Sequence, residues 1–133
     1  MPSKIFVNLP VKDLDRSKAF FGKLGYTFNA QFTDATAACM VINDDIYAML
    51  LTEAKFKEFT RKPIADAHKT TEVLIALSMD SKDEVNRVVD AGIKAGGSEA
   101  RDPQDYGFMF LRSFSDLDGH TWEIFWMDSK HVQ

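Results

Sequence analysis

Ser115-Asp116-Leu117-Asp118-Gly119-His120-Thr121-Trp122-Glu123-Ile124-Phe125-Trp126-Met127-Asp128 is the stretch on which the fold turns. Asp118-Gly119 signals a tight turn, because glycine reaches positive φ without steric cost. The residues after it are aromatic or β-branched and end on a polar one, the signature of a strand. Alternation along a strand puts Trp122, Ile124 and Trp126 on one face and Thr121, Glu123, Phe125 and Met127 on the other. The first face is wholly apolar and made for packing. The second carries one carboxylate in an apolar row. An unpaired buried carboxylate is expensive, so Glu123 is expected to find a neighbour or to keep a raised pKa through desolvation.

Working outward, the preceding segment has the same grammar twice. Glu72–Met79 is strand-like, Ser81-Lys82-Asp83-Glu84 has capping-box spacing, and Val85, Val88, Val89, Gly92 and Ile93 recur at helical spacing until Gly96-Gly97. Short strands follow at Ser98–Arg101, Phe108–Phe114 and Thr121–Met127. Nearer the start, Ile5–Val11 reads as a strand that Pro10 confines to an edge or a strand end. Asp13 is placed as an N-cap, Leu14, Ser17, Phe21 and Leu24 form a helical stripe widened by Phe20, and Gly25 is the stop. Tyr26–Phe32, Ala37–Ile42 and Ile46–Leu51 are three further strands, the last two joined at Asn43-Asp44-Asp45.

Each half is thus strand, helix, three strands. The expected fold class is α+β, one 133-residue domain made of two βαβββ repeats, about 4–52 and 72–128. Between them Thr52–Lys62 suggests a short amphipathic helix ended by Pro63, and the polar residues 61–71 a crossing linker, the candidate lid.

Composition narrows the function classes. With 45% apolar and 27% charged residues this is an ordinary globular composition. A net charge of −4 without a basic stripe argues against nucleic-acid binding. No apolar run can span a bilayer, the start does not read as a secretory signal, and one cysteine, Cys39, makes no internal disulfide, so a cytoplasmic setting is expected. No phosphate loop, dinucleotide fingerprint or Ser/His/Asp signature is present. Asp116-x-Asp118-Gly119 resembles the start of a calcium loop but lacks the later bidentate Glu, and reads as a turn. Among the histidines, His120 is expected exposed on the rim or outer face, His68 solvated in the linker unless a lid carries it inward, and His131 at a frayed terminus. Cys39 is expected to pack as a small hydrophobe.

Asn8-Leu9-Pro10-Val11-Lys12-Asp13-Leu14 with Ser17, Phe20, Phe21 and Leu24-Gly25, followed much later by Asp116-Leu117-Asp118-Gly119 through Trp122-Glu123, resembles the vicinal oxygen chelate superfamily. That superfamily includes glyoxalase I, bleomycin-resistance proteins and extradiol dioxygenases. The resemblance covers nearly the whole chain. It implies a glyoxalase-like fold, each repeat curling its mixed sheet into half of a cup with helices outside, and a homodimer. Members with a metal hold it by four His, Glu or Gln side chains on the first and last strand of each repeat. Those positions align with Phe6, Leu50, Leu74 and Glu123 here, and a two-residue offset would add Asn8 and Glu72. Only Glu123 of the four can bind a metal, and a catalytic divalent ion needs about three protein ligands. No cofactor is therefore expected, a divalent metal being the alternative. The implied ligand pocket consists of Phe6, Asn8, Leu50, Glu72, Leu74, Glu123, Phe125 and Met127, around a small apolar or cationic molecule. The alternatives are a metal-dependent lyase or isomerase resembling lactoylglutathione lyase, a ring-cleaving dioxygenase, or a structural dimer with a filled cup.

Overall fold

A computed structural model describes residues 3–131, apart from the side chain of His131, so the expectation for that histidine lies outside the described residues. The chain divides between Ala65 and Asp66 into two compact units. Each has one four-stranded mixed sheet of the same topology.

In the first unit the elements are β1 (Ile5–Val11), α1 (Leu14–Lys23), β2 (Thr27–Phe28), β3 (Ala37–Val41), β4 (Ile46–Thr52) and a one-turn α2 (Glu53–Phe56). The order across the sheet is β1-β4-β3-β2. β1 runs parallel to β4, and the other pairs are antiparallel. Pro10 is accommodated because β1 is an edge. Asp13 caps α1 as expected, its carboxylate accepting the Arg16 N–H at 3.1 Å. The expected strand over 26–32 is cut to two residues. Asn29 accepts the Gln31 N–H at 2.9 Å and starts a 3₁₀ turn over Ala30–Phe32. A local side-chain bond has there outcompeted the ladder.

The second unit repeats the plan with β5 (Leu74–Ser78), α3 (Lys82–Lys94), β6 (Ser98–Asp105), β7 (Met109–Ser115) and β8 (Thr121–Met127), ordered β5-β8-β7-β6. Ser81 caps α3, accepting the Glu84 N–H at 3.1 Å. β6 runs longer than expected and changes register twice against β7, which lets its polar residues stay paired along an exposed edge.

Each sheet buries one face under its helix. In the second unit Val85, Val88 and Val89 of α3 meet Phe114, Trp122 and Ile124, all at most 1% exposed. A side chain at Gly92 would come within 3.2 Å of the Phe114 ring, so the glycine sets how closely the helix lies on the sheet. Trp122 and Phe114 stack with centroids 6.4 Å apart. One polar group enters this layer. Arg112 donates to Glu99 on β6 at 3.1 Å, and to Asn86 and Asp90 on α3 at 2.9 Å each. Burial works against its charge, but the two carboxylates more than offset that and hold its pKa above the ordinary value.

Candidate functional site

Residues paired across adjacent strands share a face, so the registers sort every candidate. In the second sheet, Glu123 pairs with Ser113 on one side and Ala76 on the other, and Ser113 pairs with Arg101. Phe125 pairs with Leu111 and Ser78, Met127 with Met109, and Leu74 with Thr121. Leu74, Glu123, Phe125 and Met127 therefore lie together on the face away from α3, the open face of that sheet. In the first sheet Phe6 pairs with Tyr47 and Asn8 with Met49, and these share the face away from α1. Phe6 stacks on Tyr47 at 4.8 Å and 11°.

Leu50 does not join them. It pairs with Leu9 on the helix side, where they are 0% and 2% exposed. The alignment of Leu50 with Glu123 was one residue out, and in a strand one residue exchanges the faces. With Phe6 matched to Leu74, the register makes Met49 the counterpart of Glu123.

Glu72 is also not a free polar anchor. Its Oε1 lies 2.8 Å from His120 Nδ1. His120, expected on the rim, is buried at 2% exposure. Its backbone N–H donates to Asp116 Oδ1 at 3.0 Å, which also accepts from Asp118 N–H at 2.9 Å, while Trp122 Nε1 donates to Asp116 Oδ2 at 3.0 Å. Burial raises the Asp116 pKa, against the opposing pull of His120 and these donors. The turn is thus tied by a buried carboxylate, and the apolar wall that holds Trp122 also draws His120 inward. Cys39 is buried as expected, and burial pushes its thiol pKa up.

Glu123 behaves differently. Of the two expected outcomes for Glu123, pairing with a neighbour is not the one found, since it makes no hydrogen bond or ion pair with any described residue. Beside it, Ser113 is 1% exposed and its Oγ has no hydrogen-bond partner among the described residues. An unsatisfied buried hydroxyl next to an unpaired half-buried carboxylate is unusual, since groups of both kinds are normally bonded. Together they form an acceptor-rich spot, flanked by Arg101 on the exposed edge and by Leu111, Phe125 and Met127 further along the face. The pairing of Ser113 with Glu123 is legible in the sequence. Counting two residues back from Ser115 and two on from Thr121, across the turn, brings Ser113 opposite Glu123.

Taken unit by unit, the residues at the aligned positions are poor donors for a divalent ion. Phe6 and Leu74 have no lone pair to give, Met49 offers only a soft thioether, and Glu123 stands alone as a hard donor. The described residues contain no group of three or more His, Cys, Asp or Glu placed to hold a metal.

Two open sheets of order 1-4-3-2, each crossed by one helix and repeated in tandem, make a glyoxalase-like fold. Residues 4–43 match a family profile described as bleomycin resistance protein-like N-terminal. Among solved structures, the chain is similar to a hypothetical protein, SA1046, from S. aureus, with 25% identity, 94% of each chain covered and a TM-score of 0.79. It is also similar to a glyoxalase-related enzyme from Fulvimarina pelagi, with 19% identity, 95% of this chain and 88% of that one covered, and a TM-score of 0.79. A bleomycin resistance determinant encoded on the transposon Tn5 shares the fold at 18% identity, 96% and 99% coverage and a TM-score of 0.65. No curated protein matches the chain. No described helix is long and apolar enough to cross a membrane.

Proposed function

We propose that this protein binds a small molecule on the open face of its second sheet, without a catalytic metal. The ligand presents a cation or hydrogen-bond donor to Glu123 and Ser113 and lays an apolar part over Leu111, Phe125 and Met127. The observation that carries this reading is the pair of unsatisfied acceptors, a half-buried carboxylate beside a buried hydroxyl. A mostly apolar surface with few orienting polar groups is what small-molecule recognition requires. The similarity in fold to a bleomycin resistance determinant supports binding as the role. The residues at the superfamily's metal positions do not support metal-assisted lyase, isomerase or dioxygenase chemistry.

The test uses phenethylamine, which joins a cation to an apolar ring, with phenylacetate as its anionic counterpart. The unmutated protein should bind the amine in preference to the acid. Glu123→Gln should keep the fold and weaken the amine about tenfold or more, the weight of a hydrogen bond to a charged group. Metal analysis should show near-zero content in both proteins. Equal binding of amine and acid, or stoichiometric zinc, nickel, iron or manganese that Glu123→Gln loses, would overturn the proposal.

A further inference from the structure

The second unit contains a separate cleft of about 320 Å³. Its walls are Gly96–Ser98, after α3, and Ser115–Leu117, at the end of β7. Its roof is Ala67-His68, which packs down on Gly119. A side chain at Gly119 would come within 2.7 Å of the His68 backbone nitrogen, and its φ of 86° further favours glycine. The roof is itself braced, since Asp66 accepts the His68 N–H at 3.0 Å and the Thr70 hydroxyl at 3.0 Å. The cleft is therefore built into the unit, at the lower end of the volumes that small ligands occupy.

Three of its lining residues carry polar side chains, His68 and Ser98 exposed and Ser115 partly buried. The hydroxyls of Ser98 and Ser115, paired in register, and the His68 imidazole make no hydrogen bond to any described residue. The charged classes of ligand fit poorly. Asp116 borders the cleft, but its two oxygens already accept from Asp118, His120 and Trp122, so no free carboxylate awaits a cation. An anion would meet that same carboxylate and the negative end of α3, whose last turn closes beside Gly96. An apolar ligand would leave the two hydroxyls and the imidazole unsatisfied.

We infer that the cleft roofed by Ala67-His68 is a binding site for a neutral, hydroxyl-rich molecule of polyol or monosaccharide size, held by His68, Ser98 and Ser115. Hydroxyls both donate and accept, so they can answer all three groups at once. At about 30 Å³ per water the space equals roughly ten waters, enough for a six-carbon polyol. This site stands whether or not Glu123 takes a ligand.

Amide NMR titrations of the whole chain with three separate probes test it: myo-inositol, inorganic phosphate and putrescine. Only myo-inositol should give saturable shifts, at millimolar concentrations and centred on residues 67–68, 96–98 and 115–119. Ser98→Ala, at an exposed position, and Ser115→Ala, at a partly buried one, should each weaken it about fivefold with the remaining spectrum unchanged. Saturable shifts from phosphate or putrescine instead, no saturable shift from any probe, or inositol binding indifferent to both substitutions would each overturn the inference.

Discussion

Asp116 shows how much one side chain can organise without touching a ligand. One oxygen gathers two backbone N–H groups of the turn and the other holds the Trp122 indole, at 6% exposure. Asp116→Asn keeps the shape but has one acceptor oxygen, so its amide N–H would face either the turn donors or the indole. We expect a loss of about 1–3 kcal/mol, read as a lower denaturation midpoint, because a buried donor is left unsatisfied. The pH dependence follows from the raised pKa. The folded state holds the Asp116 proton to a higher pH than the unfolded chain, which releases it near 3.8. This contribution is fully present below that value and is lost as pH rises through the folded pKa, since the folded state binds more protons in between. Stability curves above pH 4 should therefore carry a downward component that Asp116→Asn removes. Identical pH slopes in the two proteins would exclude it.

At the scale of elements, α3 is fixed to its sheet by the valine stripe and by Arg112. The Arg112 fork ties two residues of the helix to Glu99 on the neighbouring strand. Arg112→Ala should cost about 2 kcal/mol by losing charge-assisted bonds to partly exposed carboxylates. Arg112→Lys should recover less than half, having a point charge in place of the fork. Chemical denaturation of both variants measures this, and a lysine variant as stable as the parent would refute the geometric argument. The elements themselves were largely legible in the chain. Asp13 and Ser81 announce their helices, Gly25 and Gly96 end them, and Trp122 and Ile124 alternate as core residues must. What escaped was phase and partnership. Nothing local in Ile46–Thr52 (Ile-Tyr-Ala-Met-Leu-Leu-Thr) says which side of an almost wholly apolar strand faces the helix. The parallel register against β1 decides it, and so Leu50 gives way to Met49. Likewise His120 looks exposed by type and position, while its burial depends on Glu72, forty-eight residues earlier. Arg112 follows the same rule, since its partners come from two other elements.

The whole molecule raises the question of its free edges. The first strand of each unit, β1 and β5, is the last strand of its own sheet. Such an edge offers unpaired backbone groups to another chain. Its side chains here are apolar as well: Ile5, Phe6 and Leu74 are 55%, 49% and 56% exposed. Natural edges are usually guarded by charge or by Pro, and only β1 has such a guard, Pro10, at its far end. Unguarded apolar edges are better explained by self-association than by solvent, and identical copies meet most simply about a two-fold axis. We expect a homodimer at about tens of micromolar, within the ordinary working range of association constants. Light scattering on the unmutated protein should give twice the 15.0 kDa chain mass. Phe6→Glu combined with Leu74→Glu should give the monomer with its secondary structure intact, because both side chains are about half exposed in the single chain and their loss opens no core cavity. A monomer in the unmutated protein would end the argument outright. A dimer that survives both charges would move the interface away from these two edges.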